Sequence, residues 1–326
     1  MTAESPSPLR QPEIPDVLAA RRVLAGVTLR TPVLRSEALD ELAGARLFFK
    51  AESLQLTGSF KVRGACNRVR ALSPAELAAG LITVSAGNAA LGAAYAARLA
   101  GTRIVVVMPE HAVAEKLAAV AAMGGQVENR GIASGAQAFA RAAELQREHG
   151  YTLVHPYDDP FVVAGAATAT WELLEEVPDL EALAVPASGG GLLCGALLAA
   201  SALAPAARTY AVQPAGAASI VPSLAAGAPT AAERIETVAD GLTAPRPGVL
   251  NFAMIQRYRP EVVTVSDPEI LAAMGRIIRT LRVVVEPSGA AALAAVLTHG
   301  AFRGRRVGVL LSGGNAALER IREVLA

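Results

Sequence analysis

Short, wholly apolar runs alternate with amphipathic stretches along most of this chain, and the alternation predicts its architecture. Leu47–Ala51, Leu81–Val84, Ile104–Met108, Leu153–Val154, Ala182–Val185, Thr209–Val212, Val262–Val265 and Val307–Leu311 read as strands, with another starting at Val127. Continuous apolar residues, rather than an in-out alternation, suit parallel strands covered on both faces. Between them, helical spacing of apolar residues predicts helices over Pro15–Ala25, Asn88–Ala100, Ala112–Met123, Ala136–His149, Phe161–Val177, Leu192–Leu203, Ala290–Leu297 and Asn315–Val324. Ser73-Pro-Ala-Glu76 and Ser266-Asp-Pro-Glu269 are capping boxes that open two more helices, ending at Gly80 and Leu281. Strands alternating with helices of this length imply βαβ units and an α/β fold. Ala217 to Arg246 is less regular. There is no internal repeat and no low-complexity linker, so composition marks no domain boundary.

Composition narrows the picture. Hydrophobic residues make up 52% of the 326 positions but aromatics only 4%, so the core is built from Ala, Leu and Val. A net charge of +1 leaves no basic surface for nucleic acid or an acidic membrane. Cys66 and Cys194 are far apart, and with four scattered histidines they make no zinc spacing. A reduced, cytoplasmic protein is expected. Met1 to Val17 carries Pro6, Pro8, Pro12 and Pro15 and no apolar core, which argues against a signal peptide. Ala182 to Ala207 has no charge, yet Pro186, four glycines and Pro205 break it. A strand, a glycine turn and a buried helix account for it better than a membrane span.

Four glycine-marked segments carry candidate chemistry. The first is Glu52-Ser-Leu-Gln-Leu-Thr-Gly-Ser-Phe-Lys-Val-Arg-Gly-Ala65. Ser59 reads as a helix N-cap, which sets Lys61 in the first helical turn. The positive end of the helix dipole disfavours an ammonium there, and a lysine relieved of its proton is a nucleophile suited to Schiff-base chemistry. The second is Ser85-Ala-Gly-Asn-Ala-Ala-Leu-Gly92, a strand-to-helix turn whose N–H groups can face an anion. The third, Ser188-Gly-Gly-Gly-Leu192, lets backbone N–H groups converge on a phosphate at a helix N-terminus. A dinucleotide reading is disfavoured here: Cys194 stands where the next glycine belongs, and no acid occurs between Glu181 and Glu233 to hold a ribose. The fourth is Ser312-Gly-Gly-Asn315, after the last strand. Every segment but the first follows a predicted strand, where open α/β sheets bind ligands.

In this order the segments resemble those of the pyridoxal-phosphate (PLP) dependent threonine/serine dehydratases, or threonine ammonia-lyases, relatives of serine racemase with the fold type II architecture of the tryptophan synthase β chain. The resemblance covers nearly the whole chain. It implies PLP as cofactor, a parallel-sheet large domain (residues 1–80 plus 155–326), a smaller inserted βαβ domain (81–154), and an active site between them. By the same resemblance Lys61 is the catalytic lysine that carries PLP. Phe60, Lys61, Asn88, Ser188, Gly189, Gly190, Gly191, Leu192 and Ser312 bind the cofactor, Asn88 at the ring hydroxyl, the glycine loop at the phosphate and Ser312 at the ring nitrogen. Ser85, Ala86, Gly87, Asn88 and Ala89 hold the substrate carboxylate. The implied reaction is dehydration and deamination of L-threonine or L-serine to a 2-oxo acid and ammonia, in a homo-oligomer. Glu286-Pro-Ser-Gly-Ala290 and Val238-Ala-Asp-Gly-Leu242 also resemble family segments, without an assigned role.

Several positions depart from the family. Ala89 replaces a common His and Leu91 a common Gln, which makes the pocket less polar. Ala86 stands where racemases of this fold carry a serine that serves the opposite face. Gln213 and Ser219 replace the Glu and Asp that bind a divalent metal in several relatives, so no metal site is expected. Only eleven residues follow Asn315, which leaves no regulatory domain in this chain. Alternatives of the same fold are dehydration of another 3-hydroxy amino acid, such as 3-hydroxyaspartate, and racemisation of serine. Outside it stand a nucleotide-binding oxidoreductase and a non-catalytic amino-acid-binding module.

Overall fold

The computed structural model describes residues 10–110 and 114–326. Its strands are β1 (Val33–Leu34), β2 (Arg46–Ala51), β3 (Leu81–Val84), β4 (Ile104–Val107), β5 (Gln126–Glu128), β6 (Thr152–Leu153), β7 (Ala182–Pro186), β8 (Arg208–Pro214), β9 (Glu261–Val265) and β10 (Arg306–Leu311). The helices in the first half are α1 (Ile14–Leu24), α2 (Glu37–Ala43), α3 (Lys61–Arg70), α4 (Pro74–Ala79), α5 (Asn88–Leu99), α6 (Ala114–Ala122) and α7 (Gly135–His149). The second half adds α8 (Pro160–Glu176), α9 (Gly191–Leu203), α10 (Ile220–Ala226), α11 (Val249–Tyr258), α12 (Asp267–Leu281), α13 (Pro287–Thr298) and α14 (Leu318–Leu325).

Two sheets organise these elements. One has the order β1-β2-β10-β7-β8-β9 and is parallel except for the short antiparallel β1. The other, β5-β4-β3-β6, is parallel throughout and drawn from strands between Leu81 and Leu153. Every residue of β3, β4 and β7 is buried, as continuous apolar runs require when helices cover both faces. Alanine-rich α8, α9 and α13 fill the spaces around the larger sheet.

Helix α3 joins the two halves. Val62, Ala65, Cys66 and Val69 share one apolar cluster with β3, β4 and α5. Its other side meets α8 with backbone nearly touching backbone. A Cβ on Gly64 would lie 2.7 Å from the Val162 carbonyl oxygen, and one on Gly165 2.6 Å from that of Arg63. Only glycine permits this approach, and it seats the start of α3 against both sheets.

Most predicted elements form within a residue or two of their expected limits. Both capping boxes are present, at Ser73/Glu76 and Ser266/Glu269. The N-terminal stretch 1–9 and the first two residues of the predicted helix Ala112–Met123 lie outside the described residues. Four elements were not predicted: β1, α2, α10 and α11. The predicted helix from Asn315 starts only at Leu318. The reason is long-range: the Asn315 amide donates to the Thr57 carbonyl and to Asn88 Oδ1, and Gly314 N–H to Gly58 O. Those bonds hold residues 314–315 in a loop. The expected Ser59 N-cap is also corrected. Phe60 is the N-cap of α3 and offers no side-chain bond, while Ser59 pairs with Gly313 in an isolated bridge. The same loop therefore claims the backbone on which a local cap would have formed.

Candidate active site

Three strand ends and the start of α3 converge on one cleft. Phe60 N–H donates to the Ser312 carbonyl, which ties the lysine segment to the end of β10. A Cβ on Gly313 would lie 3.1 Å from Asn88 Nδ2, so the turn after β3 adjoins the same loop. Gly92, one turn into α5, lies against the Lys61 backbone, at 3.0 Å from a Cβ to the Lys61 carbonyl carbon. The Ser188–Leu192 loop joins through residues that the sequence reading did not single out.

Lys61 is the first residue of α3 and is half-buried. Its Nζ donates to the Pro156 carbonyl at 2.8 Å and lies 5.2 Å from the Phe60 ring centroid. Burial lowers its pKa to about 8, against the charge of Glu286, which raises it. The chain has three lysines, and the other two have acid partners. Lys50 donates to Glu172 at 2.6 Å, and Lys116 is paired with Asp240. Lys61 makes no ion pair among the described residues.

The segment His155–Asp158 connects the lysine to the glycine loop. His155 Nδ1 accepts from Asp158 N–H at 2.8 Å and Tyr157 N–H at 3.3 Å. A ring nitrogen that accepts carries no proton, so this imidazole is neutral with its proton on Nε2. Burial, with the Lys61 charge, holds its pKa down at about 4. The bent segment aims the Pro156 carbonyl at Lys61 and lays the Tyr157 ring over the loop, 2.5 Å from where a Gly189 Cβ would be. Asn251 Nδ2 bonds both Tyr157 O and Gly189 O at 2.9 Å. Asp158 accepts from Val249 N–H at 2.8 Å and Asn251 N–H at 3.2 Å, at the first turn of α11. Proline and paired acids in His155-Pro-Tyr-Asp-Asp-Pro160, straight after a strand, were the available signal for this segment.

The loops have the form that PLP requires. Gly190 caps α9 in the left-handed region (φ +104°), and no side chain caps that helix. Its first N–H groups face outward at the positive end of the dipole, with no Cβ over the loop, which suits a phosphate. Ser188 Oγ is occupied by Ala244 N–H at 2.9 Å, so its hydroxyl braces the loop. The Ser312 hydroxyl is buried and makes only a 3.5 Å contact with Ser288 O, which leaves it available to a ring nitrogen. Gly87 caps α5 without a side-chain bond, and Ser85 Oγ accepts from Gly87 N–H at 3.1 Å. The turn from Ser85 to Ala89 thus presents a second uncapped helix start, suited to a carboxylate.

A dense ion cluster underlies the cleft. Arg63 is 1% exposed and binds Glu52 through Nε (2.7 Å) and Glu172 through Nη1 (2.7 Å), with further bonds to Thr168 and the Leu29 carbonyl. Lys50 completes a neutral set of two cations and two acids. Burial alone would raise the Glu52 carboxyl, but Arg63 outweighs it and holds the pKa down. The sequence reading gave Arg63 no role, because nothing local to it reveals partners in the turn after β2 and on α8.

At the positions compared with a metal site in the sequence reading, Gln213 Oε1 accepts from Ile220 N–H at 2.9 Å, while Gln213 Nε2 and Ser219 Oγ are buried without partners among the described residues. An amide donor and a hydroxyl do not replace two carboxylates around a hard divalent cation.

Comparison with known proteins agrees with this geometry. The profile of the family "Pyridoxal-phosphate dependent enzyme" matches residues 25–313. A β-hydroxyaspartate dehydratase of Paracoccus denitrificans is 42% identical over 95% of this chain and 98% of its own length. An L-threonine ammonia-lyase of Thermotoga maritima is 37% identical over 95% of this chain and 77% of its own. The structure of maize serine racemase superposes with a TM-score of 0.92 at 36% identity, covering 96% of this chain and 97% of the other. The parallel sheets are those of fold type II, and the chain belongs to the pyridoxal-phosphate dependent enzymes.

Proposed function

We propose that this enzyme eliminates water from a small 3-hydroxy amino acid, L-threonine first and L-serine second, and releases a 2-oxo acid and ammonia. Bound PLP supplies the carbonyl that condenses with amines and the ring that accepts electrons from Cα. The chain's residues do the rest. Lys61 would hold the cofactor, and its amine, basic near pH 8, would take the Cα proton. The Ser188–Leu192 backbone and the start of α9 hold the phosphate. Asn88 meets the ring oxygen. Ser312 meets the ring nitrogen with a neutral hydroxyl, which leaves the ring a weaker sink than a carboxylate would and favours loss of a β-substituent. The turn Ser85–Ala89 orients the substrate carboxylate. Residues 81–154 act as the smaller domain against the rest, with the reaction between them.

The observation that carries the reading is that, of three lysines, Lys61 alone lacks an acid partner among the described residues and stands beside the glycine-marked turns. The choice of threonine rests on the space beside it. A cavity of about 10 Å³ adjoins Lys61 and is lined by Ala65, Thr83, Ala89, Val154, Val162 and neutral His155, among others. Apart from Lys61 its lining side chains are apolar or neutral, and none of them is a second cation for a β-carboxylate. The β-hydroxyaspartate dehydratase at 42% identity favours a second reading, in which 3-hydroxyaspartate is the substrate.

Keto-acid release from L-threonine, L-serine and 3-hydroxyaspartate, run beside a chiral assay, tests both. An added methyl in an apolar pocket is worth about 1–3 kcal/mol, so L-threonine should match or exceed L-serine in kcat/KM and exceed 3-hydroxyaspartate. Faster turnover of 3-hydroxyaspartate would replace the substrate and keep the chemistry. D-serine forming faster than pyruvate would overturn elimination, which Ala86, having no proton to deliver, supports.

A further inference from the structure

Glu286 has a place in this site but no role in the reaction as described. It precedes α13 and is 4% exposed. Its backbone N–H donates to the Gly313 carbonyl, and its own carbonyl accepts from Gly289 and Ala290. The side chain lies over the C-terminal loop, with Oε1 2.6 Å from where a Gly313 Cβ would be. That oxygen accepts from Asn88 Nδ2 at 2.6 Å, and the carboxyl also takes the Asn315 N–H. Asn88 Oδ1 in turn accepts from Asn315 Nδ2 at 2.7 Å, and Asn315 Nδ2 reaches the Thr57 carbonyl at 2.8 Å. One relay thus links α13, the start of α5, the C-terminal loop and the lysine segment.

The relay determines how Asn88 is turned. Reversing its amide would set Oδ1 against the Glu286 carboxylate and two N–H donors against each other at Asn315. In the observed orientation one Asn88 N–H is left over, so the group it can offer a ligand is a donor. We propose that Glu286 is a positioning residue that acts through Asn88: it fixes the amide so that a donor faces the cofactor's ring oxygen, and it holds a negative charge near Lys61. The inference rests on the reading above in which Asn88 and Lys61 face PLP.

The bonds that Glu286 accepts are strongest to the ionised carboxylate, while its surroundings oppose ionisation. Burial first, then the charge of Asp240, raise its pKa to about 7, against the bonds from Asn88 and Asn315 and the charge of Lys116. Lys116 is itself paired with Asp240 on the rim, and Lys61 gains protonated character from Glu286. Ser288, next along α13, is neutral and bonds Gly241 N–H. The carboxylate is therefore poised to lose its accepting role as pH falls through neutrality.

Two variants of the holoenzyme test this. Glu286→Gln keeps the shape and removes the charge. Its visible cofactor band should persist, while the pH midpoint of that band moves down by about one unit, because an opposite charge near Lys61 favours the protonated form. In a cycle of Glu286→Ala with Asn88→Ala, the double variant should match Asn88→Ala within about twofold in kcat/KM, since a residue acting through another adds no independent loss. An unmoved midpoint in Glu286→Gln, or losses that multiply in the cycle, would overturn the inference. If Glu286→Ala does not fold, the midpoint decides alone. A wild-type protein without a visible band, or with reductive tagging away from Lys61, would instead overturn the reading beneath it.

Discussion

Lys61 and Arg63 are two residues apart on one helix, and their surroundings are opposite. Arg63 is enclosed by Glu52, Glu172, Thr168 and a carbonyl, and Lys50 nearby shares Glu172. Lys61 has one carbonyl and an aromatic face. Burial acts on both cations. At Arg63, two carboxylates more than offset it and the guanidinium is held more firmly charged than in water. At Lys61, the offset is incomplete and the amine is freed near pH 8. A paired buried cation serves as an anchor. An under-paired one, next to it on the same rigid element, is available for chemistry. The anchor also explains how the candidate lysine is held: α3 is clamped to the turn after β2 and to α8 by ions two residues beyond Lys61.

The contrast can be broken at each end. Lys61→Ala should abolish the visible cofactor band and lower kcat by on the order of 10⁴-fold or more, since the attachment point and the base are lost together. Peptide mapping after reductive tagging should find the label on Lys61, whereas a label on Lys50 or Lys116 would reverse the comparison. Arg63→Met should act on stability before chemistry. Stranding Glu52 in the interior, while Glu172 keeps Lys50, should cost about 3–5 kcal/mol in a urea titration. Adding Glu52→Gln should restore part of that loss, because one unpaired charge is then removed, and failure to do so would argue against the ion network as the anchor.

A smaller effect sharpens the same point through pH. When PLP is added back to apoprotein, capture should accelerate as pH rises through about 8, not near the 10.5 of a solvated lysine. The sign follows from burial: the folded site disfavours the ammonium, so the neutral nucleophile is reached at lower pH. The rate of appearance of the visible band measures it. A midpoint above 10 would mean that Lys61 is as well solvated or paired as an ordinary surface lysine.

Legibility from the sequence differed between these regions. Strands such as Leu81–Val84 and capping boxes such as Ser266/Glu269 were readable because their signals are local: an apolar run, a hydroxyl and a carboxylate three residues apart. Asn88 and Ser312 were readable as members of glycine-marked turns after strands. The short β1 and α2 escaped because they carry little apolar periodicity, and α11 because its N-terminus is capped by Asp158, far away in sequence. Ser59 had every local mark of an N-cap and lost that role to pairing with Gly313. Pro156, Tyr157 and Asn251 have no motif of their own, and their parts emerge only where the chain folds back on the glycine loop.

What the sequence determined by itself is the α/β alternation, the family and the cofactor, and it singled out Lys61 as the candidate lysine. Each follows from residue order over short spans, where propensity, capping and glycine geometry act. Only the tertiary structure decided the electrostatics of that lysine. Its pKa depends on which carboxylates reach it, and the acids that neutralise Lys50 and Arg63 come from distant segments while none pairs with Lys61. Charge interactions fall off over a few ångströms in space and take no account of separation along the chain, so they are settled by which segments meet.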